Sequence, residues 1–133
     1  MRGLKIFGAI VVLAAAGVAC GGSDNGGAVN TPSASASACA ASPSTETPVK
    51  VDANASLKFV PANITVKPCQ LVIWTVVGAV PHTVTSQSGA TFDSGNLNEG
   101  GTFTQSFATA GTIHYFCKIH GASVMSGTIT VSS

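Results

Sequence analysis

Residues 113–131, IHYFCKIHGASVMSGTITV, contain the pattern that decides the fold. The two ends of this stretch are rich in β-branched and aromatic residues and predict two strands joined by a short loop. The loop contains Cys117, His120 and Met125 at the spacing Cys-x2-His-x4-Met. Because a strand holds each end of the loop, the stretch predicts a β fold that gathers a thiol, an imidazole and a thioether at one end.

The chain from about Val49 onwards shows further short strands between turn residues. Asn63–Lys67 and Thr102–Phe107 alternate apolar and polar residues, whereas Leu71–Val77 is a nearly continuous β-branched run, as in a buried strand. Trp74 within that run is expected in the core. Other short strands are expected at Val49–Val51, Leu57–Phe59 and Thr83–Thr85. With no sustained 3.6-residue apolar period, residues 49–133 predict an all-β antiparallel sandwich of seven to eight strands and little or no helix.

The first 19 residues are typical of a secretory signal peptide. Two cations precede an apolar run that is shorter than the roughly 20 residues of a membrane span. Cys20 and the small residues around it are similar to a bacterial lipobox, although Gly17 stands where an aliphatic residue is preferred. We expect a lipid on Cys20 that anchors the protein to the membrane. Ordinary cleavage in this region and an uncleaved anchor are the alternatives.

Residues 20–48 are expected to form the lipid attachment site and a disordered linker. The segment consists mainly of Gly, Ser, Ala, Thr and Pro. It cannot bury enough apolar surface to offset the entropy lost on ordering. A flexible chain of this length reaches roughly 30 Å, enough to lift a small domain off a membrane.

The net charge bears on nucleic-acid binding, and the cysteines bear on the cellular compartment. Six basic and five acidic residues leave a formal net charge of +1, which argues against nucleic-acid binding. Four cysteines can pair in three ways. If Cys20 takes lipid and Cys117 takes metal, Cys39 and Cys69 remain and can form a disulfide outside the cytoplasm. Two unrelated thiols are the alternative.

A second histidine completes a set of metal ligands. His82 lies in Val80-Pro81-His82-Thr83-Val84, between two apolar runs. Two histidines and a cysteine with a weak axial methionine are the ligand set of a mononuclear blue-copper electron-transfer site. Zinc would accept two histidines and a cysteine, but it has little use for methionine. The joint spacing of His82, Cys117, His120 and Met125 therefore predicts one copper ion.

An enzymatic role is not expected. A catalytic copper would need more histidines, and the chain has three, of which two are already assigned. His114 should lie on the opposite face of its strand from Cys117, in a structural or exposed position. A copper-delivery module is the alternative to an electron carrier. Delivery sites are usually rich in methionine and histidine, however, and this chain has two methionines.

Several segments together resemble the plastocyanin-type cupredoxins over residues 49–133. They are Asn63–Lys67, Val72–Trp74, Pro81–Val84, Phe92–Gly95, Gly111–Ile113 and Cys117–Met125. The resemblance implies a Greek-key sandwich with one type 1 copper near one end. It implies that His82, Cys117 and His120 are equatorial ligands and Met125 the axial one. It also implies an electron shuttle between redox partners of an extracytoplasmic respiratory or photosynthetic chain.

Departures from the family pattern bear on rigidity and docking. Thr83 stands where relatives often have an asparagine that ties the two ligand loops together, and Cys69 replaces a usual glycine. Phe116 takes the place of a surface tyrosine, and acidic residues are sparse. We therefore expect a monomer whose redox donor and acceptor dock on apolar surface around His120, formed by Val80, Pro81, Ile119, Gly121 and Ala122. The protein is expected outside the cytoplasm, as a membrane-anchored lipoprotein or in the periplasm.

Overall fold

A computed structural model of the protein describes residues 39–40 and 44–133. The predicted signal peptide, Cys20 and most of the predicted linker lie outside these residues. Within the described part, no helix is long and apolar enough to cross a membrane. Residues 44–133 contain eight strands and no helix.

The strands are short, as expected from the spacing of the turn residues. They are β1 (Val49–Asn54), β2 (Lys58–Val60), β3 (Asn63–Val66), β4 (Val72–Val77), β5 (Thr85–Ser88), β6 (Thr102–Gln105), β7 (Gly111–Phe116) and β8 (Ser126–Val131). Residues alternate between exposed and buried along β3 and β6, and between buried and half-buried along most of β4, because successive residues of a strand point to opposite faces.

The strands form two four-stranded sheets, with the orders β2-β1-β4-β6 and β3-β8-β7-β5. The predicted all-β sandwich is therefore confirmed, with one refinement. Two of the six adjacent strand pairs in the described residues, β1 with β4 and β3 with β8, are parallel, and the other four are antiparallel.

The core between the sheets is built around aromatic rings. Trp74 and Tyr115 are fully buried, with ring centroids 5.6 Å apart in an edge-to-face arrangement. Phe103 packs on Trp74 at 5.7 Å and Phe59 on Tyr115 at 4.8 Å. Such pairs add roughly 0.5–1.5 kcal/mol each beyond the area that they bury. The core role predicted for Trp74 agrees with this packing.

The strand directions define two ends of the sandwich. β7 ends and β8 begins at the loop 117–125, and we call this the upper end. β3 runs parallel to β8, so the turn that follows β3, residues 67–71, lies at the opposite, lower end. β4 starts from this turn and runs back towards His82.

A disulfide joins Cys39 to Cys69 in the lower turn, with a Cα–Cα distance of 5.1 Å. Lys67 and Gln70 of the same turn bond to the Glu46 carboxylate at 2.9 Å and the Thr47 carbonyl at 2.7 Å. The described chain therefore contacts the sandwich several residues before Val49, where the sequence places the domain boundary.

Candidate metal centre

His82 is held by backbone pairing on the stretch that follows β4. Its N–H and C=O exchange hydrogen bonds with Leu97 at 3.0 and 2.8 Å. Two residues later, the Val84 N–H donates to Ser94 Oγ at 2.8 Å. The segment 92–97 thus braces the backbone around His82, whose side chain is completely buried.

Cys117 begins a loop that its own backbone closes. The Cys117 N–H donates to the Met125 carbonyl at 3.0 Å, and the Gly121 N–H donates to the Cys117 carbonyl at 2.9 Å. Gly121 has a φ of +82°, a left-handed conformation that costs a residue with a Cβ roughly 1–2 kcal/mol. Glycine at this position therefore suits the reversal that brings His120 back towards Cys117.

The donor atoms of His82, Cys117 and His120 all lie within 4.8 Å of one another. Cys117 Sγ is 3.3 Å from His120 Nδ1 and 3.9 Å from His82 Nδ1. With metal–nitrogen and metal–sulfur distances of about 2.0 and 2.3 Å, a trigonal ion would separate sulfur from nitrogen by about 3.7 Å. The spacing of the three donors therefore fits a single ion coordinated by all of them.

The surroundings of Cys117 Sγ suit a metal ligand. Cys117 is fully buried and is the free cysteine of the described residues. The Thr83 N–H donates to its sulfur at 3.3 Å. This hydrogen bond joins the backbone of the His82 loop to the Cys117 side chain.

The pKa of His82 is lowered from its ordinary value. Burial is the main cause, the nearby His120 lowers the pKa further, and the Asn54 backbone carbonyl partly opposes both. A metal binds the neutral imidazole, so this shift keeps His82 ready for coordination at lower pH.

Thr83 links the two ligand loops. The sequence had left this link open, because Thr83 stands at a position where asparagine is usual. Its Oγ1 accepts a hydrogen bond from the Lys118 N–H at 2.8 Å. Thr83 is thus bonded to both Cys117 and Lys118, and its residue surface is only 2% exposed. The Thr83 hydroxyl and backbone N–H therefore link the His82 loop to the Cys117 loop.

Met125 is buried and closes the loop through its backbone, as described above. His114 is exposed, as predicted, and its Nδ1 lies 3.3 Å from Thr128 Oγ1. The sequence did not predict a role for Thr85 near the site. It also did not predict the salt bridge between Asp93 and Lys118, which lies beside the Cys117 loop. The segment Phe92–Gly95 was noted for its resemblance, but no spacing rule pointed to its partners.

A protein-family model described as copper-binding proteins of the plastocyanin/azurin family matches residues 45–132. The chain belongs to this family. A plastocyanin from Scenedesmus fuscus is 33% identical over an alignment of 94 residues, and the match covers 62% of this chain and 96% of that protein. Among solved structures, oxidised plastocyanin from Dryopteris crassirhizoma is 28% identical with a TM-score of 0.56, covering 63% of this chain and all of that one.

A purple cupredoxin from Nitrosopumilus maritimus is 27% identical with a TM-score of 0.57, covering 63% of this chain and 99% of that one. Membership of the plastocyanin/azurin family, together with the gathered donors of His82, Cys117 and His120, confirms that copper is the cofactor. It also confirms the expectation of a blue-copper electron carrier and not an enzyme.

Proposed function

We propose that the protein shuttles single electrons between redox partners of an extracytoplasmic respiratory or photosynthetic chain, tethered to a membrane by its N-terminus. The observation that carries the electron-transfer role is the approach of His82, Cys117 and His120 around one point. These donors are spread over 39 residues, yet backbone hydrogen bonds hold His82 to Leu97 and close the loop that contains Cys117 and His120. A site assembled this rigidly changes little when one electron enters or leaves.

In this proposal His82, Cys117 and His120 would hold the copper, and Met125 would contribute a weak thioether donor. Bound copper would supply the one-electron couple between Cu(II) and Cu(I). The protein residues hold the thiolate, keep His82 neutral and exclude water, because His82, Cys117 and Met125 are all buried. Thiolate and thioether donors suit Cu(I), while imidazoles suit both states.

Electrons are proposed to pass through His120, the ligand that is partly exposed. Exposed apolar residues lie in the same loop, since Ile119 is 45% exposed and Val124 51% exposed. Pro81 is also exposed. Partner docking on this apolar surface should depend weakly on salt, because few free charges are available for long-range attraction.

The proposed location is outside the cytoplasm, as an anchored lipoprotein or in the periplasm. The Cys39–Cys69 disulfide supports an oxidising compartment, where such bonds persist. Lipid on Cys20 is proposed from the sequence, and the segments 1–19, 20–48 and 49–133 are proposed as signal, linker and copper domain.

The deciding experiment is the visible and EPR spectrum of the full chain loaded with Cu(II). An intense charge-transfer band with a narrow copper hyperfine splitting is expected, and Cys117→Ser should abolish the intense band. A variant that remained intensely coloured would remove Cys117 from the ligand set. Copper retained through repeated oxidation and reduction supports a shuttle, whereas release to a chelating acceptor in one state supports delivery.

The membrane tether is tested separately by fractionating cells that express the full chain or Cys20→Ser. We expect the parent protein in the membrane fraction and the variant in the soluble extracytoplasmic fraction. An equal distribution of the two proteins would contradict lipid anchoring at Cys20.

A further inference from the structure

The contacts around Lys118 extend beyond the link between the ligand loops. Thr83 Oγ1, which accepts the Lys118 N–H, lies 3.2 Å from Thr85 Oγ1. Thr85 Oγ1 lies 3.2 Å from the Asp93 carboxylate oxygen Oδ1. The other carboxylate oxygen pairs with Lys118 Nζ. Lys118 is therefore held by one closed ring of contacts, through its backbone N–H and through its side chain.

The protons of this ring have one consistent arrangement. A carboxylate only accepts hydrogen bonds, and each threonine hydroxyl has a single proton to donate. Thr85 therefore donates to Asp93, and Thr83 donates to Thr85. The Thr83 oxygen is left to accept from the Lys118 N–H, and each bond in such a series polarises the next.

Asp93 is itself fixed in position. The Gly95 N–H donates to Asp93 Oδ1 at 3.0 Å. The adjacent Ser94 N–H donates to the Val84 carbonyl at 3.0 Å. The carboxylate is thus attached to the same segment that braces the His82 backbone, and it cannot follow the Cys117 loop if that loop moves.

We propose that Asp93 is a positioning residue for the copper site, which acts through Thr85 and Thr83 to hold the Cys117 loop at a fixed distance from His82. The inference rests on the electron-carrier function proposed above, because a carrier benefits when neither ligand loop moves on electron transfer. The residues of the ring come from the His82 stretch, the 92–97 segment and the Cys117 loop.

The two contacts of Asp93, with Lys118 and with Thr85, should contribute unequally to holding the Cys117 loop. The ion pair with Lys118 is open to solvent, with side chains 53% and 40% exposed, and such surface pairs contribute little. The Thr85 contact is shielded, because Thr83 and Thr85 are 2% and 6% exposed. Asp93 therefore positions the Cys117 loop mainly through the threonine hydroxyls. Loss of the Thr85 contact and loss of the Lys118 ion pair should have different effects.

The test measures amide hydrogen exchange at Lys118 by NMR in the full chain without copper, and the Cu(II) hyperfine splitting in the loaded protein. Thr85→Val removes the central hydroxyl at nearly constant volume, and Asp93→Ala removes the carboxylate. We expect both to speed Lys118 exchange by about threefold to fivefold, which is part of the effect of losing the Lys118 hydrogen bond itself. Both should also change the hyperfine splitting, while Ile113 in β7 keeps its exchange rate.

Matched variants set the scale. Thr83→Val removes the acceptor of the Lys118 N–H and should give the largest increase in the Lys118 exchange rate. Thr83→Ser keeps the hydroxyl and should give the parent exchange rate and hyperfine splitting. Lys118→Met removes only the ion pair and should change the exchange rate by less than about twofold. Parent values for both Thr85→Val and Asp93→Ala would overturn the proposal. So would a uniform acceleration at Lys118 and Ile113, or an effect of Lys118→Met as large as that of Asp93→Ala. The exchange rates are measured without copper, so they test the role of Asp93 independently of the metal. An ordinary copper spectrum in the parent protein would therefore count only against the electron-carrier proposal.

Discussion

The Cys117 amide and the Met125 carbonyl are joined by a 3.0 Å hydrogen bond across the mouth of the ligand loop. The residue proposed as the thiolate ligand and the residue proposed as the thioether ligand are therefore joined by one backbone hydrogen bond. A movement of either strand end would shift both residues together, so the loop adjusts as a unit and not ligand by ligand.

Replacing Met125 with leucine should leave copper bound and raise its reduction potential. The three strong donors remain, while the loss of a weak sulfur donor disfavours Cu(II). Voltammetry on the loaded protein measures the shift. Val124→Ala is the matched control, because Val124 is the adjacent residue and its side chain faces solvent. A lower potential in Met125→Leu, or an equal shift in the control, would remove Met125 from the axial position.

Removing the disulfide should destabilise the protein without altering the copper spectrum. The bond closes a loop with a sequence separation of 30 residues, worth about 3–4 kcal/mol in the chain-entropy treatment. It lies in the lower turn, far from the ligand loop. Urea unfolding of the double variant Cys39→Ser/Cys69→Ser measures the loss of unfolding free energy.

The backbone at Cys69 allows a second, sharper comparison. Cys69 has a φ of +63°, which glycine adopts at no steric cost. The double variant Cys39→Ser/Cys69→Gly should therefore be more stable than the double serine variant, by about 1 kcal/mol. Equal stabilities would show that this conformation is relaxed once the crosslink is gone.

Gly127→Ala should be among the more damaging single-methyl changes in the protein. A Cβ at this position would lie 2.5 Å from the Tyr115 ring and from the Ala62 carbonyl oxygen. Overpacking of this kind costs about 1–3 kcal/mol. Gly95→Ala is the control, because its Cβ would meet nothing within 4 Å although its φ is +64°. Chemical denaturation should rank Gly127→Ala as the less stable variant, and the reverse order would contradict the close approach.

The single tyrosine should ionise only under strongly alkaline conditions. Burial raises the pKa of Tyr115 to about 12. The unfolded chain loses this proton near pH 10, so the contribution of Tyr115 to stability is complete below pH 10 and is lost as the pH rises towards 12. The loss amounts to about 2–3 kcal/mol. Ultraviolet titration of the phenolate follows it, and a midpoint near 10 in the folded protein would contradict the burial.

The sequence was most informative where side-chain periodicity and ligand spacing coincide. Ile64 and Val66 are buried on β3, and Cys117 and His120 lie in one loop, as predicted. The parallel pairing of β1 with β4 was not predictable, because alternation records which face of a strand is buried and not the direction of its neighbour.

The predicted strand at Thr83–Thr85 was displaced, since β5 begins at Thr85. The cause is local. The Val84 N–H bonds to the Ser94 hydroxyl, so a side chain takes the place of a neighbouring strand. The contact of Asp93 with Lys118 was missed for a similar reason, because it joins exposed polar residues that are 25 positions apart and follow no repeating pattern.

The Cys39–Cys69 crosslink also determines how the folded domain carries mechanical load. Tension applied upstream of Cys39 passes through the sulfur atoms to Cys69, so β1, β2 and β3 lie within a covalent loop that bears no force. Stretching the chain from its two ends should therefore release about 30 residues less contour length when the disulfide is intact than after reduction. A domain pulled from its N-terminal side is thus loaded at the lower turn, and its first three strands are protected from sequential unfolding.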